Sequence, residues 1–117
     1  MGLTYVRGIV SGTNHRKATV NFLVDSGAMY TLLADKTWRA IGLESKRVEA
    51  FSLADGTQIV RAVSECHLSI KQGEAHTPVI LGEAGDAPLL GVVTLEILGL
   101  VLNPFTRKLQ PMRMLLA

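Results

Sequence analysis

The residues of this 117-residue chain best suited to chemistry stand in Phe22-Leu23-Val24-Asp25-Ser26-Gly27-Ala28. A carboxylate closes a strongly apolar run there, where a small hydroxyl residue and a glycine turn the chain. A carboxylate in apolar surroundings must find partners or change its protonation. Held beside a polar bond, such a group serves as a general acid or base. Taken alone, Asp-Ser-Gly is more often an Asx turn at a strand end.

Few other residues compete for a chemical role. Asp55-Gly56-Thr57 lies thirty residues on, between two apolar runs, and Asp-Gly in that setting is a hairpin turn. His15 and His76 stand near turns and His67 in a strand. None is at metal-ligand spacing, so they read as ordinary polar residues and neither metal nor cofactor is expected. The single Cys66 excludes an intrachain disulfide and reads as a small apolar strand residue. No Ser-His-Asp order and no glycine-rich phosphate loop before a helix is present, which sets aside serine hydrolases and nucleotide binders.

The elements that must position Asp25 are mostly short β-type runs separated by turn residues, the pattern of an all-β barrel or sandwich. Tyr5 to Val10 and Ala18 to Val24 flank Ser11-Gly12-Thr13-Asn14 and read as a hairpin. Asp35 to Gly42 reads as a short helix, with Asp35 as its N-cap, Gly42 in the left-handed position after its last turn, and Trp38 and Ile41 on its buried face. Phe51 to Val63 predicts a second hairpin around Ala54-Asp55-Gly56-Thr57. His67 to Ile70 and Thr77 to Leu81 predict a third around Gln72-Gly73-Glu74. After a loop from Gly82 to Pro88, Leu89-Leu90-Gly91 leads into a helical run, Val92 to Leu98, capped by Gly99. Leu100 to Leu102 and Lys108 to Gln110 then bracket a turn at Asn103-Pro104-Phe105-Thr106.

Composition limits the partners. The length suits one domain, 1–117, burying about two thirds of the surface its unfolded chain exposes. With 48% hydrophobic and 19% charged residues the chain is apolar for its size, which fits a surface hidden in a partner. A net charge of +2 with scattered cations gives no nucleic-acid footprint, and Arg39, Lys46, Arg47 and Arg61 read as solvated. The run from Leu89 to Leu102 is broken by Thr94 and Glu96 and is too short to span a bilayer. Met1 to Val6 carries no secretory or myristoylation signal. A soluble, cytoplasmic protein without nucleic-acid or membrane partners is expected.

Over nearly its whole length the sequence resembles the retropepsin-like aspartic proteases, in particular their bacterial and archaeal branch. Phe22 to Leu33 is similar to the family's hydrophobic-Asp-Thr/Ser-Gly-Ala turn. The hairpin at Asp55-Gly56 stands where the family has its flap, and Leu89-Leu90-Gly91 matches its hydrophobic-hydrophobic-Gly element, followed by a short helix. The resemblance implies a closed acid-protease-like barrel of short antiparallel strands, with a ψ-loop active-site turn, a flap hairpin and one or two short helices.

It also implies that Asp25 is catalytic, supported by Ser26, Gly27 and Ala28. Leu89, Leu90 and Gly91 would pack behind that turn, Gly91 where any side chain would intrude. Asp55, Gly56, Thr57 and Gln58 would form the flap tip, with Thr57 or Gln58 near substrate. In such enzymes two carboxylates share a proton, one activating a water and the other acting as acid towards the peptide carbonyl. One motif per chain means a homodimer, with the Ser26 hydroxyl bonding across the paired turns.

The sequence departs from retroviral members in three places. Met29-Tyr30 replaces acidic residues after the Ala and Val92 replaces an Arg after the later Gly, which suggests apolar packing in place of an ion pair. The flap tip is polar rather than glycine-rich. Fourteen residues follow Asn103, ending in an apolar Met112-to-Ala117 tail that could be packed at an interface, occupy the cleft or be self-cleaved. The expected function is an aspartic endopeptidase acting on peptide or protein substrates, the alternative a non-catalytic dimeric module of the same fold that binds extended peptide segments.

Overall fold

Alternation of apolar and polar residues sets the first layer of the fold in a computed structural model that describes residues 2–113. Strands β1 (Tyr5–Ser11) and β2 (Lys17–Val24) pair antiparallel, with Val10, Val20, Phe22 and Val24 turned into the core. Phe22 is fully buried, which for a side chain of this size contributes about 2–3 kcal/mol. After the Asp25 turn come β3 (Thr31–Leu33), α1 (Asp35–Ala40) and the pair β4 (Arg47–Ser52) and β5 (Gln58–Ile70). Then follow β6 (Gly73–Leu81), β7 (Leu89–Leu90), α2 (Val92–Ile97), β8 (Leu100–Leu102) and β9 (Leu109–Pro111).

The sheet order is β1-β2-β7-β3-β6-β5-β4, and β1 also pairs with β5. That extra pairing closes six strands into a ring and leaves β4 outside it. Closure depends on the length of β5. Its first half pairs with β4, from Ser52↔Gln58 to Arg47↔Val63, and its last residues pair with β1, from Ser11↔His67 to Gly8↔Ile70. Along its other edge β6 pairs from Val63 to Ile70. The two hairpins expected around Asp55-Gly56 and Gly73 therefore share one continuous strand.

The all-β fold with two short helices is as expected, with one local correction. Ala34, not Asp35, is the N-cap of α1 and gives no side-chain cap. Asp35 instead accepts from Arg39 Nε at 2.7 Å, one turn on along the helix surface. Gly42 and Gly99 follow the two helices at φ +74° and +70°, the left-handed positions expected after the last turns. Ile41 is fully buried, and Trp38 packs half-buried against the core while its indole N–H donates to Gly82 O at 2.8 Å. The residues beyond Arg113, which include most of the apolar tail, lie outside the described residues, and so do the roles considered for them.

Candidate active site

Two neighbouring strands make the Asp25 turn rigid. In the sheet, β7 lies between β2 and β3, parallel to β2 and antiparallel to β3, so the chain between β2 and β3 must loop around its end in the shape of a ψ. The Asp25 N–H donates to Leu90 O at 3.0 Å, and the Val24 N–H to Thr4 O at 2.8 Å. Within the turn, the Ala28 N–H donates to Asp25 O at 3.1 Å and the Gly27 N–H to Asp25 Oδ1 at 2.9 Å. The second bond is the Asx-type contact that the tripeptide predicts on its own. Asp25 is thus half-buried, while Ser26 and Gly27 are exposed.

Gly91 packs tightly against the backbone of the turn. A Cβ there would stand 2.5 Å from Tyr30 C, 2.6 Å from Tyr30 O and 2.8 Å from Met29 O, all backbone atoms that cannot swing aside. Helix α2 begins at the next residue. Its first N–H groups have no partner within the helix. They donate instead to the turn, Val92 to Ala28 O at 2.8 Å and Val93 to Met29 O at 2.9 Å. Val92, standing where retroviral members have Arg, therefore supports the turn through its backbone.

A buried chain of hydroxyls, which sequence reasoning missed, completes this support. The Gly91 N–H donates to Thr31 Oγ1 at 3.0 Å, Thr31 Oγ1 lies 2.6 Å from Thr94 Oγ1, and Thr94 Oγ1 lies 2.7 Å from Thr77 Oγ1. All three threonines are buried. The signal lay in their setting, since Thr31, Thr77 and Thr94 each stand beside strong apolar runs where a surface hydroxyl would be out of place.

Beside the carboxylate runs an apolar row. Leu23 pairs with Leu89 and Leu89 with Leu32 across the three strands, so their side chains share one face. They are half-buried, whereas their neighbours Val24, Leu33 and Leu90 face the core and are buried. Strand alternation sets Asp25 on the face of Leu23. Two surface hollows, of about 570 and 440 Å³, lie elsewhere and are not lined by Asp25.

The hairpin that the resemblance assigns as a flap is β4–β5, with its tip at Leu53 to Thr57, where the Gly56 N–H donates to Leu53 O and the Leu53 N–H to Thr57 O. Gly56 sits at φ +88°, open to glycine without strain. Asp55 acts as the expected turn residue. Hydrogen bonds from the Thr57 side chain and then the Thr57 N–H hold its carboxyl below the ordinary carboxylate range. Gln58 is exposed and opens β5 opposite Ser52. Among the described residues, Asp55 to Gln58 make no hydrogen bond to the Asp25 turn.

All four cations read from sequence as solvated have structural partners, Arg39 in Asp35, Lys46 in Glu65 and the other two as follows. Arg47 Nε donates to Glu49 Oε1 at 3.0 Å and its Nη2 to the Tyr30 hydroxyl at 3.0 Å; these bonds, Glu49 first, raise its pKa. Arg61 keeps only 19% of its side chain exposed and lies 3.5 Å from Glu83 and 4.0 Å from Asp86. The Asp86 contact is close enough for attraction but too long for a hydrogen bond.

A lone Asp-Ser-Gly turn clamped by a ψ-loop, inside a ring of strands with the β4–β5 hairpin outside it, is the architecture of a retroviral-type aspartyl protease. The comparisons agree. Residues 10–96 match the family described as "gag-polyprotein putative aspartyl protease", and the chain belongs to this family. Among solved structures it is similar to EIAV protease complexed with the inhibitor HBY-793, at a TM-score of 0.63 and 16% identity over 84% of this chain and 89% of that one, a likeness of fold. No curated protein matches the sequence significantly.

Proposed function

We propose that the protein is an aspartic endopeptidase whose active site forms when the Asp25 turns of two copies meet across a two-fold axis. The observation that carries this reading is the Asp25 turn. One carboxylate oxygen is fixed by the Gly27 N–H, the backbone is held from behind by Leu90 and the close packing at Gly91, and the carboxyl stays half-exposed. The other oxygen is left for a partner.

Two such carboxylates in contact do not both ionise readily, so they share one proton. The ionised member takes a proton from water as the water oxygen attacks the peptide carbonyl carbon, and the protonated member gives its proton to the carbonyl oxygen. As the diol collapses, the carboxyl that took the water's proton gives it to the nitrogen, and a diol hydroxyl returns its proton to the other carboxylate. The C–N bond breaks and the shared proton is restored. Ser26, exposed beside Asp25, can place its hydroxyl towards the partner turn. Leu23, Leu32 and Leu89 favour an apolar substrate side chain beside the scissile bond, and the flap covers the extended peptide.

Digestion of a peptide library from acidic to neutral pH tests the reading. Asp25→Asn is expected to remain a folded dimer and to cleave at least about a hundredfold more slowly, the loss of a general acid-base. A variant that cleaves as well as the parent overturns it. A parent that binds the peptides without cutting them leaves the binding module as the function.

A further inference from the structure

Tyr30 joins two parts of the molecule that the catalytic reading uses separately. Its backbone belongs to the Asp25 turn. Met29 O, just before it, accepts from Val93; its own carbonyl packs on Gly91; and Thr31, just after it, begins the buried hydroxyl chain. Its side chain leaves that fixed base towards the flap. The ring meets Phe51 with centroids 5.7 Å apart and planes at 71°, the edge-to-face arrangement that aromatic pairs prefer. The hydroxyl accepts from Arg47 Nη2 at 3.0 Å, and the guanidinium carbon lies 5.9 Å from the ring centroid, within range of a cation–π attraction.

The flap supplies both contacts from one face of one strand. Arg47, Glu49 and Phe51 stand two apart on β4 and so project to the same side. Glu49 holds the Arg47 guanidinium by its Nε, leaving Nη2 for the phenol. The Arg47 and Glu49 side chains are 47% and 45% exposed, and bonds between such exposed groups are weak. A weak contact fits a hairpin that must leave and return.

We propose that Tyr30 is a positioning residue which, through Arg47, ties the Asp25 turn to the base of the flap and sets where the flap rests over the cleft. The proposal rests on the reading of Asp25 as catalytic and of β4–β5 as the flap. Tyr30 does not touch the reacting atoms in this account. It fixes the register between the turn that carries the carboxylate and the hairpin that covers the substrate.

Amide hydrogen exchange of the full chain tests it without turnover, so its failure is distinguishable from failure of the peptidase reading. Tyr30→Phe keeps the ring on Phe51 and removes only the hydroxyl. Exchange in the flap, residues 48–58, is expected to quicken about threefold, the worth of one exposed charged hydrogen bond, while Val20 to Val24 keeps its rate. Arg47→Met should quicken the same segment, and adding Tyr30→Phe to it should change nothing further. Where a peptide is cleaved, KM rises by a similar factor with kcat unchanged. Unaltered flap exchange, uniform quickening of the whole chain, additive effects in the double variant, or a fall in kcat at constant KM each overturns the proposal.

Discussion

The hydroxyls of Thr31 and Thr94 lie 2.6 Å apart, with neither residue more than 1% exposed, and join β3 to α2 directly behind the Asp25 turn. Thr31 Oγ1 accepts from the Gly91 N–H at one end, and at the other Thr77 Oγ1 lies 2.7 Å from Thr94 Oγ1, so the Thr94 hydroxyl bridges the other two.

Thr94→Val keeps the shape of the side chain and removes the hydroxyl that bridges Thr31 and Thr77, so that one of these loses the partner for its proton in a dry site. Orphaning a buried donor costs about 1–3 kcal/mol. Urea unfolding of Thr94→Val should therefore show a loss of about 2 kcal/mol. Thr19, an exposed strand residue, provides the control. Thr19→Val should change stability by less than about 0.5 kcal/mol. Equal effects at the two sites contradict the hydroxyl chain.

Gly91→Ala places a methyl 2.5 Å from the Tyr30 carbonyl carbon. Backbone on both sides must separate, and overpacking of this kind costs about 1–3 kcal/mol or more. Because the displaced atoms belong to the turn that presents Asp25, activity should fall more than stability alone explains. Thermal unfolding together with a peptide assay at a temperature where the variant is folded checks this.

The Asp25 turn was legible because it is a local string, a carboxylate and glycine after an apolar strand, whereas the packing of Gly91 behind it was legible only through the family resemblance. The hairpin turn at Asp55-Gly56 was likewise legible from its own dipeptide. The unity of β5 was not. Its burial alternation slips at Val63 and Ser64, both buried, just where its partner changes from β4 towards β1. Sequence periodicity reads such a slip as a break between hairpins. Thr31, Thr77 and Thr94 were missed because a hydroxyl counts as polar until its buried partners are known. Arg47 is exposed as the sequence suggests, whereas Arg61 was read as solvated because its partners Glu83 and Asp86 lie on a separate loop.

Cys66 gives a pH-dependent signature. It is 3% exposed, and burial pushes its thiol from an ordinary value of 9.0 up to about 12. Below the ordinary value the thiol is protonated in both states and stability does not depend on it. Between 9.0 and about 12 the unfolded chain loses the proton and the folded one keeps it. Stability should then fall with rising pH by up to about 1.4 kcal/mol per unit from this group. The test is the difference in slope between the parent and Cys66→Ala. The variant should fall less steeply, and parallel slopes contradict the assignment.

The central claim is that Asp25 is half of a site that a second copy completes. Subunit mixing addresses it directly. Parent chain is blended with Asp25→Asn at constant total concentration, the two are left to exchange, and peptide cleavage is read against the fraction of parent. If each site needs two Asp25 carboxylates, activity follows the square of that fraction, about one quarter at an equal mixture. Activity that stays in simple proportion, about one half at the same point, would mean that each chain carries a complete site and would contradict the account.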